Sequence, residues 1–172
     1  PGPARVLVFA GCLAGFEWLR GHVFTGFPWD LPGETWEAGT APSQAASLIG
    51  AYGLTWLTVA IAAAPAVLAD KGRARVKIAT LAVALAALGG LYGYGAWRLD
   101  GAVKAGPDAP MLRVVQANID QKYKWKPENL RMVFDTYVDL TTRKAAVQPA
   151  IVIWPEGALP AVIDDLIAPG SP

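Results

Sequence analysis

The chain has 172 residues, 53% of them hydrophobic and only 17% charged, with a net charge of +1. That is too apolar for an ordinary soluble domain, so membrane segments are the first thing to seek. No basic tract points to a nucleic-acid partner, and a single cysteine excludes an internal disulfide.

The opening, PGPARVLVFAG, has no small-residue cleavage site of the signal-peptide type, and the ending, LIAPGSP, has no apolar anchor. Both ends read as arbitrary, as expected for a piece of a longer protein. Three apolar stretches occupy the first hundred residues. The first, about residues 5–24, carries Glu17 and Arg20 three apart, a spacing at which helical side chains can meet. Ionisable groups inside a membrane are costly and often functional, whereas a structural pair near the outer interface is the simpler reading. The GFPW that follows (residues 26–29) reads as a rigid aromatic turn at the membrane surface. His22 has no metal-ligand partner nearby and receives no role.

The second stretch, residues 45–69, has no charge and is long enough to cross about 30 Å of hydrocarbon as a helix. The third, residues 77–98, ends in the interfacial aromatics Tyr92, Tyr94 and Trp97. Between them lies DKGRARVK, with Lys71, Arg73, Arg75 and Lys77 against Asp70. The positive-inside rule makes this loop cytoplasmic, with Arg5 on the same side. Residues 21–44 and everything after Trp97 then lie outside.

Residues 101–110, GAVKAGPDAP, form a Gly/Pro/Ala linker. Residues 111–172 change character to that of a globular α/β unit. MLRVVQANI reads as a strand, and KPENLRMVFDTYVDLTTRKAAVQ as a helix, with Pro127 at its first position and Glu128 at its positive end. Leu130, Val133, Phe134, Tyr137 and Leu140 are its expected buried face. AIVIW reads as a second strand, so the unit is βαβ with neighbouring parallel strands.

The second strand stops at Trp154-Pro155, and Glu156 follows. In open α/β sheets, ligands gather beyond the carboxyl ends of the strands, which suits a general base. A solvated loop acid or a cap for a following helix suits the same position. No phosphate loop, metal cluster or serine triad is visible, and no cofactor is expected.

WPEGALP resembles the glutamate motif of the nitrilase superfamily. Within that superfamily the whole chain resembles the membrane-embedded apolipoprotein N-acyltransferases. The likeness rests on EWLRGHVFTGFPW, SLIGAYGLTWL and VVQANIDQKYKWKPENL in that order, although Ala117 stands where the family usually has glycine. The resemblance implies a multi-pass helical membrane region followed by the start of an α-β-β-α sandwich, incomplete here, facing the periplasm from a bacterial inner membrane. It implies acyl transfer from a phospholipid donor to a diacylated apolipoprotein acceptor through a cysteine thioester. Glu156 is the implied catalytic base, and Trp125, in a matching KW context, the implied substrate-binding residue.

The same resemblance implies a lysine and a cysteine downstream of the glutamate, and neither type occurs after Glu156. Cys12 lies in an apolar span and does not substitute. Lys122, Lys124 and Lys126 read as solvated or near headgroups. The 172 residues are therefore expected to be inactive alone. A membrane-tethered amidase of the same superfamily and a non-enzymatic membrane scaffold with an outer binding domain are the alternatives.

Overall fold

The computed structural model describes residues 2–161. The chain divides into two compact units, Pro1–Val103 and Lys104–Pro172. The α/β portion expected to run to residue 172 therefore has its last residues outside the described part.

The membrane-type unit contains α1 (Pro3–His22), α2 (Ala46–Ala63) and α3 (Ala74–Asp100). Among the described residues, two helical stretches are long and apolar enough to cross a membrane, Pro42–Ala69 and α3. They are not buried core helices: only 28% and 6% of their apolar windows are covered by protein. On α3 the side chains of Ile78, Val83 and Leu85 stand exposed. Water makes such a face unfavourable and lipid tails do not, so the unit is built for a bilayer. The first stretch forms its expected helix, but Arg5, Glu17 and Arg20 set it apart from the two more apolar ones.

The second stretch is not the single helix its composition suggested. A 3-10 turn (Pro42–Ala45) leads into α2, Gly50 breaks the helical path with φ 67° and ψ 176°, and a second 3-10 turn (Ala64–Ala69) closes it. The left-handed φ at Gly50 is one that a residue with a Cβ adopts only at a cost. Pro65 at the start of the final turn supplies no amide hydrogen for an α-helical bond.

Small residues set the helix spacing. Gly11 of α1 faces the Trp56 indole of α2, and Gly21 faces the Tyr52 hydroxyl. Gly95 of α3 lies directly against the backbone of Ala41, leaving no room for a Cβ. Gly95→Val is therefore expected to lower the thermal midpoint of the detergent-solubilised chain. Overpacking costs about 1–3 kcal/mol, and a backbone obstacle puts this case at the upper end. Gly93→Val, where a Cβ meets open space, is the control that should change little.

The connection between α1 and α2 folds back onto α2. Gly33 N donates to Thr55 Oγ1 at 3.1 Å, and the Trp36 indole donates to Thr58 Oγ1 at 2.8 Å. Ala45, Leu54 and Leu91 form the small buried cluster where α2 meets α3. At the other end, Arg5 pairs with Asp70 at 3.1 Å and donates to Ala66 O, while Lys77 donates to Leu68 O. These bonds bring the start of α1 and the loop between α2 and α3 to one end of the unit.

The second unit holds β1 (Leu112–Val114), α4 (Gln121–Lys124), α5 (Leu130–Thr142) and β2 (Ile151–Ile153). The two strands pair in parallel, with Leu112 opposite Ile151 and Val114 opposite Ile153. This is the expected βαβ unit, with shorter strands and a shorter helix. Pro127 opens a 3-10 turn ahead of α5, in keeping with its fixed φ. The helix then ends at Thr142, well before Gln148, because Arg113 of β1 takes its last carbonyls. Its guanidinium donates to Thr141 O and, at 2.6 Å, to Arg143 O. Free carbonyls at a helix end need such donors.

Val133 and Tyr137 are buried against Val115 and Ala158, with Leu140 and Trp154 packed beside them. Phe134, expected on that face, is exposed instead. A two-stranded sheet is narrow, so it covers the 133–137–140 seam and leaves the flank bare. Leu112, Val114, Ile151 and Ile153 share the opposite sheet face and are all exposed. The observed architecture is thus apolar membrane helices followed by an open two-stranded beginning of an α/β domain.

Candidate active site

The candidate site residues lie on the loops that leave the carboxyl ends of β1 and β2. The last ladder bond runs from Val115 N to Ile153 O at 3.0 Å. Pro155, with no amide hydrogen, cannot extend the pairing on its donor side. Residues 155–158 then form a tight turn, closed by Ala158 N donating to Pro155 O at 3.1 Å. Gly157 occupies it with φ +63°, the left-handed position for which glycine carries no steric cost.

Both flanks of this turn are rooted. On one side the Trp154 indole donates to Thr141 Oγ1 at 2.8 Å and lies against the Tyr137 ring, centroid to centroid 5.0 Å. On the other, Ala158 is buried with Val115, Val133 and Tyr137. Glu156 stands between two anchors and is itself exposed. Its carboxylate has no hydrogen bond or ion pair among the described residues. The backbone that carries this carboxylate is anchored, and a carboxylate without a partner has its oxygens open to a proton donor, as a general base requires.

The loop after β1 supplies the neighbours. Asn118 adopts φ 49°, and its N–H donates to Gln116 Oε1 at 2.9 Å. Asp120 caps the single turn of α4 by accepting from Lys122 N at 3.0 Å. Lys122 pairs with Asp120 at 3.2 Å and lies over the Tyr123 ring, which Lys126 also approaches. Lys124 differs: its Nζ lies 3.9 Å from where a Cβ on Gly157 would sit. One lysine of the three therefore reaches the turn that carries Glu156.

Trp125 follows directly. Its indole donates to Gln121 Oε1 at 2.8 Å, and the residue is 61% exposed, with the Lys124 ammonium 5.7 Å from the ring centroid. An exposed aromatic plane held by its polar edge is a surface for an apolar or cationic group. The structure thus puts Trp125 beside Lys124, and Lys124 beside the Glu156 turn. By sequence alone Lys124 is indistinguishable from Lys122 and Lys126, all three expected to be solvated or near headgroups. The available signal was topological, since in a βαβ unit both strand-end loops leave the same edge of the sheet.

The remaining candidates fall in the membrane-type unit. Cys12 lies exposed on α1. Glu17 and Arg20 pair as expected, and Arg20 also donates to Trp29 O at 2.7 Å with its guanidinium over the Phe27 ring at 5.3 Å. The pair ties the GFPW turn to α1, which is the structural reading. His22 stacks on Trp18, with ring centroids 4.5 Å apart. Among the described residues there is no group of three or more metal-binding side chains.

Comparison with known proteins bears on both units. Residues 2–64 match the family model described as apolipoprotein N-acyltransferase N-terminal domain. The chain is 55% identical over 169 residues to an apolipoprotein N-acyltransferase of Caulobacter vibrioides, an alignment covering 97% of this chain and 31% of that protein. It is 38% identical to the enzyme of that name from Brucella melitensis over 95% of this chain, and 36% identical to that from Rhodopseudomonas palustris over 93%. In each case the chain spans about a third of the relative's length.

Proposed function

On the premise that the chain belongs to the apolipoprotein N-acyltransferase family, we propose that it supplies the membrane region and the general base of an enzyme acylating lipoproteins. The reaction has two halves. A cysteine thiol, supplied by polypeptide outside these 172 residues, gives its proton to Glu156. The thiolate attacks an acyl ester of a phospholipid, forming a thioester, and the leaving oxygen takes that proton back from Glu156 and departs as a lysophospholipid alcohol. The α-amino group of an N-terminal diacylglyceryl-cysteine then attacks the thioester, gives a proton to Glu156, and leaves with the acyl chain as an amide. Glu156 returns that proton to the departing thiolate, so the thiol is regenerated and no redox partner or cofactor is needed.

What carries this reading is one observation: sequence likeness that covers 97% of the chain and so extends over both units. In it, Glu156 is the base and Trp125 a contact for substrate, with Lys124 reaching the turn that carries Glu156. Both substrates are lipids, which is the physical reason for a site tied to membrane helices. The direct test is a chimera in which this chain replaces the matching third of the Caulobacter vibrioides protein. Acyl transfer to a diacylated lipopeptide should persist in membranes that contain it. Full insertion with no transfer would overturn the proposal.

The reading also places the α/β unit in the periplasm and the loop at residues 70–77 in the cytoplasm of a bacterial inner membrane. Support comes from the four basic residues in that loop and from the length of α3. At 1.5 Å per residue its 27 residues span about 40 Å, enough for one crossing of about 30 Å. Reporter fusions after Gly72 and after Asp108 are expected in opposite compartments, the first cytoplasmic. The same compartment for both sinks this topology.

A further inference from the structure

At the end of the membrane-type unit that carries the basic loop, α1, α2 and α3 enclose an apolar groove of about 690 Å³. Val6, Leu57, Ile61, Val83 and Ala84 are among its walls, and Trp56 lines it too. That volume lies within the roughly 300–1,000 Å³ of ligand sites. Arg75 is the one charged side chain in the lining. From Arg75 to Ala87, both lining residues, α3 rises about 18 Å at 1.5 Å per residue. One leaflet contributes about 15 Å of hydrocarbon, half of roughly 30 Å. The groove is therefore as long as one leaflet is deep, with its cation at the surface end.

The cations at this end are not equivalent. Arg5 is committed to Asp70 and Ala66 O, and Lys77 to Leu68 O. The other polar side chain on the α3 wall, Thr80, bonds its own helix at Val76 O. Arg75 is exposed and has no hydrogen bond or ion pair among the described residues. Lys71 and Arg73 stand beside it in the same loop.

We propose that this groove is a binding site for one anionic phospholipid, its acyl chain between the three helices and its phosphate on Arg75. Charge decides the occupant. An anionic headgroup complements Arg75 and the neighbouring Lys71 and Arg73, whereas a zwitterionic lipid would bring a cation of its own towards the basic loop. Basic pockets between membrane helices commonly hold anionic headgroups. The site is at the opposite end of the membrane helices from the start of the linker, so its lipid is a bound structural ligand and not an acyl donor. The inference rests on the membrane reading of these helices and is independent of the acyl-transfer proposal.

The test is native mass spectrometry of the whole chain in dodecyl maltoside, titrated with phosphatidylglycerol or phosphatidylcholine. The parent is expected to carry one phosphatidylglycerol in preference to phosphatidylcholine. Arg75→Gln should reduce that preference about fivefold, the worth of one basic residue at an anionic surface. Arg98→Gln, which removes a charge at the other end of α3, should leave it unchanged. Ala84→Phe, which fills the groove, should remove the bound lipid of either kind. Should that variant misfold, the two arginine variants still decide the matter. Equal retention of both lipids, an equal loss in the Arg75 and Arg98 variants, or a lipid-free dimer would each overturn the proposal.

Discussion

Replacing Glu156 by Gln in the chimera is expected to abolish acyl transfer while leaving expression and membrane insertion at parental levels. Gln keeps the size of the side chain and its capacity to hydrogen-bond, but it does not take up a proton at neutral pH. General-base assistance is worth about 10²–10⁴-fold in rate. The same carboxylate serves both half-reactions in the proposed sequence, so the loss should reach or exceed the upper figure. The fold should not suffer. Glu156 is exposed and bonds to nothing among the described residues, and exposed substitutions of this kind usually stay within about 0.5 kcal/mol of stability. The turn is held by Trp154, Pro155, Gly157 and Ala158, none of which changes. Turnover near the parental rate would make Glu156 a solvated loop acid and remove the chemical basis of the proposed function.

The second large effect concerns the chain by itself. The 172 residues, purified in detergent, are expected to form no acyl-enzyme and to transfer no label from phospholipid to lipopeptide. Covalent catalysis divides one difficult displacement into two easier ones, and without the nucleophile that path does not exist. The single thiol, Cys12, belongs to α1 of the membrane-type unit, whereas Glu156 belongs to the α/β unit. A labelled thioester on the purified chain, removed by neutral hydroxylamine and lost in Cys12→Ala, would show the nucleophile to be misassigned. Loss of activity in the chain together with its presence in the chimera locates the missing chemistry in the other two thirds of the relative.

The two outcomes separate different parts of the proposal. Glu156→Gln asks whether this carboxylate moves protons. The isolated chain asks whether it acts without help. An active chimera with a silent isolated chain and a silent Gln variant is the expected combination.

Several features were legible in the residues because their causes are local. Long uncharged runs make helices that favour lipid. Pro127 fixes the φ that opens the helical segment, and Pro155 ends a ladder for want of an amide hydrogen. Two β-branched runs separated by an amphipathic helix fix a parallel pairing, since a crossover of that kind returns in the same direction. These local causes were sufficient to put Glu156 just beyond a strand end. They also brought Glu17 to Arg20, because a helical spacing of three is itself a geometry.

Other features depended on partners far away in the chain. The end of α5 is decided by Arg113, about thirty residues earlier, whose guanidinium takes the carbonyls of Thr141 and Arg143. Phe134 shares the periodicity of Val133 and Tyr137, yet only the width of the sheet opposite determines which of them is covered. Gly50 is ordinary in an apolar run, yet the folded chain breaks its helical path there. Lys124 is one of three equivalent lysines until the two strand-end loops meet, and Arg75 one of four basic loop residues until three helices close a groove below it. The sequence by itself determined the element types, their order and the candidate base, through interactions a few residues long. Which faces are covered, which charge reaches the turn and which is left free were decided by tertiary packing, because each depends on a neighbour that no local pattern specifies.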